Sequence, residues 1–199
     1  MLNEQQTDLT ITQQANSSVV LHLINTDAQD AENNIRIEHQ GENCRTHIFG
    51  LAIASDRQTV STLTQVVHTV GGGISEQTLK FVLADEANCS FRGELKIMKD
   101  AQQVAARQTN RNIVLSDKAK MRTMPQLEIY ADDVKASHGA STGRLDETAL
   151  FYMLQRGISP VAARRLLLQA FFSDTLQMLP QDEYNRIEQL INDRLNQLL

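Results

Sequence analysis

Short apolar runs broken by polar turns recur along most of the chain, and this repeat constrains the fold more than any other feature. Several runs alternate apolar and polar side chains, which is the period of a β-strand, and none shows the 3.6-residue spacing of a helix. We therefore predict that this part of the chain is built from short strands. The runs occupy residues 19–24, 34–39, 47–54, 79–84, 94–98, 112–115 and 127–130.

The breaks between the runs fall at steps of 14 to 17 residues. They carry Asp or Gly, which suit turns because Asp can bond its own backbone and Gly tolerates positive φ. One such unit is too small to bury a face alone, but stacked units bury a continuous core, so the repeat predicts a β-solenoid. An antiparallel sandwich, which also has closely spaced short strands, is the alternative. The breaks are Asp27, Gly41, Asp56, Gly71, Asp85, Asp100, Asp117 and Asp132.

Beyond residue 143 the pattern changes to that of three helices. Asp146 is a candidate N-cap for a first helix that ends near Arg156. Ser159 precedes Pro160, an arrangement typical of the start of a second helix. A third helix is predicted from about Gln181, with apolar side chains along one side.

These patterns divide the chain into three parts. Residues 1–18 form a polar segment that is either disordered or the first rung of the solenoid. Residues 19–143 form the solenoid core, and residues 144–199 form a small helical domain. We expect this domain to pack beside the last rung, where it could close the end of the solenoid, present a docking surface, or do both.

Composition narrows the class of protein. The net charge is −5 and no basic block stands out, which disfavours nucleic acid as a partner. No apolar run approaches the length of a membrane span, and residues 1–10 lack the features of a signal peptide. Two cysteines, Cys44 and Cys89, do not make a disulfide framework. A reducing cytoplasm is the compartment that we expect.

Five stretches near the junction of the two halves resemble a known family. They read TNRNIVLS (109–116), PQLEIYADDVK (125–135), SHGA (137–140), GRLD (143–146) and LFYMLQRGI (150–158). They are similar to the C-terminal signature of the SufB/SufD family of iron–sulfur cluster assembly scaffolds. The resemblance runs from about residue 45 to residue 172, and it implies a right-handed parallel β-helix followed by C-terminal helices. Family members are roughly twice as long, so we expect this chain to correspond to their later half.

The resemblance also implies a metal ligand. The histidine that matches His138 helps to build a nascent iron–sulfur cluster in the family, together with a cysteine of SufB. A neutral imidazole can bind iron, although a lone histidine in a turn is more often a surface residue. Family members often carry Cys at the position of Ala136, so that ligand is lacking here. Candidates to orient the imidazole through its other nitrogen are Ser137, Asp132 and Asp133.

On this resemblance the chain is expected to be a scaffold subunit and not an enzyme. It would pair with SufB through its last β rungs and with the SufC ATPase through the helices after Asp146. The nascent cluster would form only in the assembled complex, and no cofactor is expected to be tightly bound to the isolated chain. Without its partner, the open edge near residues 126–130 would favour a homodimer.

Two other classes of protein remain open from the sequence. One is a carbohydrate-active β-solenoid that uses Asp132 or Asp133 as acid or base, and the other is a structural solenoid with no metal role. The remaining chemistry-bearing side chains are predicted to be structural. His47 and His68 lie in strand-like runs without ligand spacing, and Cys44 and Cys89 are expected to be buried thiols on different half-turns.

Overall fold

Ten parallel strands and three α-helices make up the part of the chain, residues 4–27 and 29–199, that the computed structural model describes. The strands form two five-stranded sheets, and consecutive strands belong to alternate sheets. The odd sheet contains β1 (Glu4–Gln13), β3 (Asp30–His39), β5 (Thr59–His68), β7 (Asn88–Ile97) and β9 (Lys120–Ile129). The even sheet contains β2 (Ser18–Asn25), β4 (Arg45–Ala54), β6 (Ile74–Leu83), β8 (Val104–Val114) and β10 (Val134–Gly143).

This arrangement is a β-solenoid of about five turns, as the repeat predicts. The predicted unit of about 15 residues is one strand with its turn, and two units complete one coil. Paired residues of one sheet are therefore about 30 positions apart, as in Val60 with Cys89 and Ile74 with Ala105. All neighbouring strands are parallel, so the antiparallel sandwich is wrong.

Every predicted break lies between two strands, and the Asp residues there show why the residue type matters. Asp56 and Asp85 occupy equivalent turns of successive coils and adopt left-handed φ angles of 54° and 51°. Asp is among the few non-Gly residues that tolerate this region. The backbone N–H of Asp56 donates to the Asp85 carboxylate at 3.0 Å, so one turn supports the next.

The solenoid begins before the predicted boundary at residue 19. Strand β1 starts at Glu4 and pairs with β3, so residues 4–13 supply the first rung. Residues 1–3 of the predicted polar segment lie outside the described residues.

Alternate side chains of each strand point into the solenoid and fill it with aliphatic groups. Burial of one such side chain stabilises a fold by about 1.5–3 kcal/mol, and stacking in register makes the contribution continuous along the coil. The fully buried members of this core include Ile35, Ile37, Ile48, Val66, Leu95 and Ile97.

The helices begin where the sequence predicts. They are α1 (Glu147–Gln155), α2 (Pro160–Phe172) and α3 (Gln181–Leu198). The Asp146 side chain accepts from the backbone N–H groups of Thr148 and Ala149, and Ser159 caps α2 in the same way. Helix α2 ends at Phe172 and a 3-10 helix, Ser173–Leu176, follows it. No described helix combines the length and the apolar character that a membrane-spanning segment requires.

The helical domain packs on the outer face of the even sheet, whereas we expected it beside the last rung. The outward-pointing side chains of Leu51, Ile53 and Val82 are buried, which is unusual for the outer face of a solenoid. They form one apolar cluster with helical residues, and this cluster determines where the helices lie. The helical members include Leu168, Phe172, Ile187, Ile191 and Leu195.

The packing leaves several large apolar side chains of the helices uncovered. Val161, Leu166 and Leu190 are 53%, 45% and 39% exposed. Arg194 takes a core position on α3, where its guanidinium donates to the Ser55 hydroxyl at 2.8 Å. A buried guanidinium is tolerated there because its N–H groups find oxygen acceptors on the solenoid.

Candidate functional site

His138 lies on β10, the terminal strand of the even sheet. It pairs in register with Gln108 of β8. The inward positions of β8 are buried, and their register partners on β10 include Val134, Ala136 and His138. His138 therefore belongs to an inward-facing column, by which we mean side chains that are aligned in register on the inner face of neighbouring strands. It is nevertheless exposed because no described strand covers the far edge of β10.

Polar side chains replace aliphatic ones in the lumen of the coils that precede His138. Gln108 is 1% exposed, and its Nε2 lies 3.5 Å from Oε1 of Gln77, one coil deeper. The Thr64 hydroxyl donates to the same Gln77 oxygen at 2.7 Å. The opposite wall provides room for the Gln108 amide because Gly93 has no side chain: a Cβ there would lie 1.8 Å from the Gln108 nitrogen.

Two buried polar atoms at this end of the lumen have no hydrogen-bond partner within the described chain. They are Oε1 of Gln108 and Oγ1 of Thr123 on β9. Buried acceptors and hydroxyls are normally satisfied, so each of these atoms calls for a physical explanation. We refer to these inward-facing polar residues of the last coils, Gln77, Gln108, Thr123 and His138, as the polar chamber.

The residues that the sequence offered as partners for the imidazole do not approach it along this column. Ser137 is adjacent to His138 on the strand and therefore points to the outer face. Asp132 and Asp133 lie in the turn that precedes β10. Sequence reasoning missed Gln108. The spacing could have indicated it, because Gln77, Gln108 and His138 are 31 and 30 residues apart, and each interval corresponds to one coil of the solenoid.

The described residues do not form a complete metal site around His138. Among the described residues there is no group of three or more His, Cys, Asp or Glu side chains that could hold a metal ion. Ala136, where the family often has Cys, packs partly buried against the apolar core.

The two cysteines are buried thiols on opposite sides of the solenoid. Cys44 immediately precedes β4 of the even sheet, and its Sγ lies 3.0 Å from the Gly41 carbonyl oxygen. Cys89 lies on β7 of the odd sheet, and burial raises the pKa of its thiol to about 12. A thiol held in its protonated form is a poor metal ligand and a poor nucleophile.

His47 and His68 contact other side chains of the solenoid. His47 points outward from β4, stacks beside Phe49 and lies 3.6 Å from the Glu76 carboxylate. His68 is buried against His39, and its Nε2 lies 2.9 Å from the Ser75 hydroxyl. Neither ring is part of the polar chamber.

A second candidate surface, on α1 and α2, exposes several large apolar side chains. Phe151 and Tyr152 are 61% and 56% exposed, and Val161 and Leu166 are exposed on the following helix. The Arg156 guanidinium stacks over the Tyr152 ring at 3.6 Å. Several large apolar side chains in one short segment are typical of a protein-binding surface.

The sequence is similar to proteins of one family along most of its length. Residues 5–171 match the family described as "SUF system FeS cluster assembly, SufBD core domain". An iron–sulfur cluster assembly SufBD family protein of Synechocystis is 34% identical over 157 residues, 79% of this chain and 35% of that protein. The iron–sulfur cluster assembly protein SufD of Escherichia coli is 34% identical over 166 residues, 83% of this chain and 38% of that protein. SufD of Bacillus subtilis is 36% identical over 131 residues, 65% of this chain and 30% of that protein. The chain thus spans about a third of the length of these relatives.

Proposed function

Because this chain belongs to the SufBD core family of the SUF iron–sulfur cluster assembly system, we propose that it is a scaffold subunit and not an enzyme. It pairs with SufB and with the SufC ATPase, and a nascent cluster forms at its interface with SufB. The observation that carries this proposal is the place of His138, which faces inward on the last rung, at an edge that no described strand covers.

The open end of the solenoid supports a partner of the same architecture. Strands β9 and β10 end their sheets at the same side of the molecule, so both leave backbone donors and acceptors unpaired there. A second solenoid that adds strands to these edges would continue both sheets. It would also enclose His138 and bring further ligands, a SufB cysteine among them, to the same point.

Iron and sulfide are the cargo of such a site. His138 supplies one neutral imidazole, and iron in a cluster needs additional thiolate or imidazole ligands. A protonated imidazole cannot bind iron, so cluster retention weakens on acidification. The chain thus contributes one ligand to a shared and weakly held cluster, as suits a scaffold that must release its product.

The helical surface is the proposed contact for SufC. Phe151 and Tyr152 of α1 provide exposed aromatic area, the kind of side chain that dominates many protein interfaces. The helices rest against strands of the sheet that ends with the strand of His138. A movement of the ATPase against the helices would therefore be transmitted to the SufB interface. We place the whole assembly in the cytoplasm, which the two unpaired thiols of Cys44 and Cys89 support.

Anaerobic cluster reconstitution of the assembled complex tests the proposal. Complexes with SufB and SufC are prepared with the wild-type chain, with His138→Ala and with His47→Ala, and visible absorption of the cluster is recorded. His47 is the control because it is an outward-facing histidine of the same sheet that lies outside the polar chamber. Size-exclusion chromatography verifies that all three complexes assemble.

We expect His138→Ala to lose most of the cluster absorption while His47→Ala retains it. Equal absorption in all three complexes would overturn a ligand role for His138. Failure of the wild-type chain to assemble with SufB and SufC would overturn the scaffold assignment itself.

A further inference from the structure

A groove runs along β8 and β10 on the part of the even sheet that the helices leave open. It has a volume of about 410 Å³, and a second depression of about 260 Å³ continues it along the same strands. Both are lined by Arg107 and Ser137, so we treat them as one feature and call it the outer groove. It lies on the outer face because the inward neighbours Gln108 and Asn110 are only 1% and 0% exposed.

The floor of the outer groove is low because the outward side chains of β10 are small. The strand presents Ser137, Gly139 and Ser141 on this face, where they are exposed. A Cβ at Gly139 would meet nothing within 4 Å, so the space above the strand is empty. The backbone of a bound chain could therefore approach this strand closely.

Three cations surround this floor. Lys135 lies on β10, and Arg107 and Arg111 lie beside it on β8. All three are exposed, and none forms an ion pair within the described residues. Glu76 is the one acidic residue among the described residues that line the groove, and its carboxylate lies 3.6 Å from Nδ1 of His47. In a chain whose net charge is −5, this face is locally positive.

The positions of the cations follow the period of a strand. Lys135 is in register with Ala105, two residues before Arg107. Arg111 lies four residues beyond Arg107 on the same strand. An extended chain advances by about 3.3 Å per residue, and its side chains alternate between two faces. A peptide that lies along the groove would therefore meet all three cations with carboxylates at positions i, i+2 and i+6, all of which are on one of its faces.

We propose that the outer groove binds an extended acidic segment of a partner protein. A single small anion does not match the two guanidinium groups, because their strand positions are about 13 Å apart. Single-stranded nucleic acid stacks its bases on aromatic rings, and among the described residues no Phe, Tyr or Trp lines the groove. The surface is on the opposite face of β10 from the inward-facing His138, so the proposal does not rest on the proposed function.

Fluorescence polarisation with a labelled peptide tests the proposal on the isolated chain at low ionic strength. The probe is a short threonine peptide with glutamate at positions 2, 4 and 8, which places all three carboxylates on one face. Its isomer has glutamate at positions 2, 5 and 8, so one carboxylate points away from the groove. We expect the wild-type chain to bind the probe about two- to fivefold more tightly than the isomer, the factor for one exposed charge pair.

Charge-removing variants identify the surface. The double variant Arg107→Gln and Arg111→Gln should weaken binding of the probe by about five- to twentyfold, because two charge pairs are lost. The double variant Lys120→Gln and Arg122→Gln removes the same charge from exposed positions of β9 on the other sheet. It is the matched control and should bind the probe as the wild type does.

Two further variants test the shape and the sign of the groove. Glu76→Gln should strengthen binding of the probe, because it removes the acidic group from the lining. Gly139→Val should weaken binding, because it fills the floor. The open space at this position allows the fold to accept the larger side chain.

Three results would overturn the proposal: no saturable binding by the wild type, equal affinity for the two peptides, or equal weakening by the two double variants. Tighter binding of a labelled oligothymidylate than of the probe would assign the groove to nucleic acid instead. Self-association in sedimentation velocity that only the Arg107 and Arg111 double variant abolishes would show that a second copy of this chain is the occupant.

Discussion

His39 and His68 meet edge to face inside the solenoid, with ring centroids 4.2 Å apart. They are register partners on β3 and β5, and both are fully buried. The Thr46 hydroxyl donates to Gln13, so it accepts from Nε2–H of His39 at 2.8 Å, which leaves Nδ1 of that ring unprotonated. Burial lowers the pKa of His39 to about 4, and burial together with the neighbouring His39 lowers the pKa of His68 to about 3.

Acid should therefore destabilise the fold through this pair. The unfolded chain binds protons at the ordinary histidine pKa of about 6.5, while the folded chain does not until the pH approaches 4. The contribution of this pair to the free energy of unfolding is therefore fully present above about pH 6.5. It decreases as the pH falls, with a slope that approaches about 1.4 kcal/mol per pH unit for each ring.

Urea unfolding at pH 5 and pH 7 measures this effect. The double variant His39→Gln and His68→Gln should show a smaller difference between the two pH values than the wild type. An equal difference in both proteins would contradict the prediction. His22, whose pKa partial burial also lowers, is present in both proteins and does not affect the comparison.

Gly73→Ala should destabilise the fold by about 1–3 kcal/mol, the usual cost of overpacking. A Cβ at this position would lie 2.6 Å from Nδ1 of His68 and 2.9 Å from Nδ1 of His39. Both rings are fixed by hydroxyl bonds and cannot move aside easily. Gly143→Ala is the control, since a Cβ there meets nothing within 4 Å. Thermal unfolding of both variants is the measurement, and equal melting temperatures would count against the packing argument.

Asp174→Asn should loosen the helical domain from the solenoid. The buried Lys80 ammonium lies 2.6 Å from the Asp174 carboxylate, and it also donates to the Phe171 carbonyl oxygen at 2.5 Å. Removal of the carboxylate leaves a buried cation with less compensation, and we expect a loss of about 1–3 kcal/mol because Asp174 is partly exposed.

Hydrogen exchange of the α2 and α3 amides, together with urea unfolding, measures this loss. Glu183→Gln breaks the exposed pair with Arg186 and is the control, since such pairs contribute about 0–1 kcal/mol. Exchange rates that rise equally in both variants would show that Lys80 does not hold the helices.

The isolated chain should form a homodimer through its open edges, and Ala140→Arg should prevent it. Ala140 is an inward position of β10, so a charged side chain there would enter the lumen that the second copy must close. Ser141→Arg places the same charge one residue away on the outer face and should leave the dimer intact. Sedimentation velocity over a range of concentrations gives the mass of each variant. A wild-type chain that stays monomeric, or a dimer that survives Ala140→Arg, would exclude this edge as the interface.

Phe151→Asp should weaken binding of SufC at least about tenfold if the α1 surface is the contact, because exposed aromatic side chains at interface centres carry much of the binding energy. Tyr130→Asp is the control, since Tyr130 is 58% exposed but lies after β9, outside the helical domain. Isothermal titration calorimetry with SufC compares the variants. Equal affinity for both would place the contact elsewhere.

Local patterns in the sequence predicted most of the elements, but the apolar runs included none in β1, β5 or β10. The turn residues from Asp27 to Asp132 all lie between strands, and the caps Asp146 and Ser159 start the helices as predicted. These features depend on rules that act over a few residues: backbone preferences at turns, side-chain oxygens that accept from helix N-termini, and alternation along strands. The repeat predicted the solenoid class, and the family signature around His138 added the candidate ligand.

The positions that join distant parts of the chain were not predicted. The helices lie over Leu51, Ile53 and Val82 because those outward side chains needed an apolar cover, and a strand period alone does not say which face another domain will bury. Gln108 lies under His138 because two coils stack in register. The amino-acid sequence by itself thus determined the repeat, the turns and the helix starts, which depend on local interactions. Only the tertiary structure decided where the helices dock and which side chains share a column, since both depend on contacts between residues that are 30 or more positions apart.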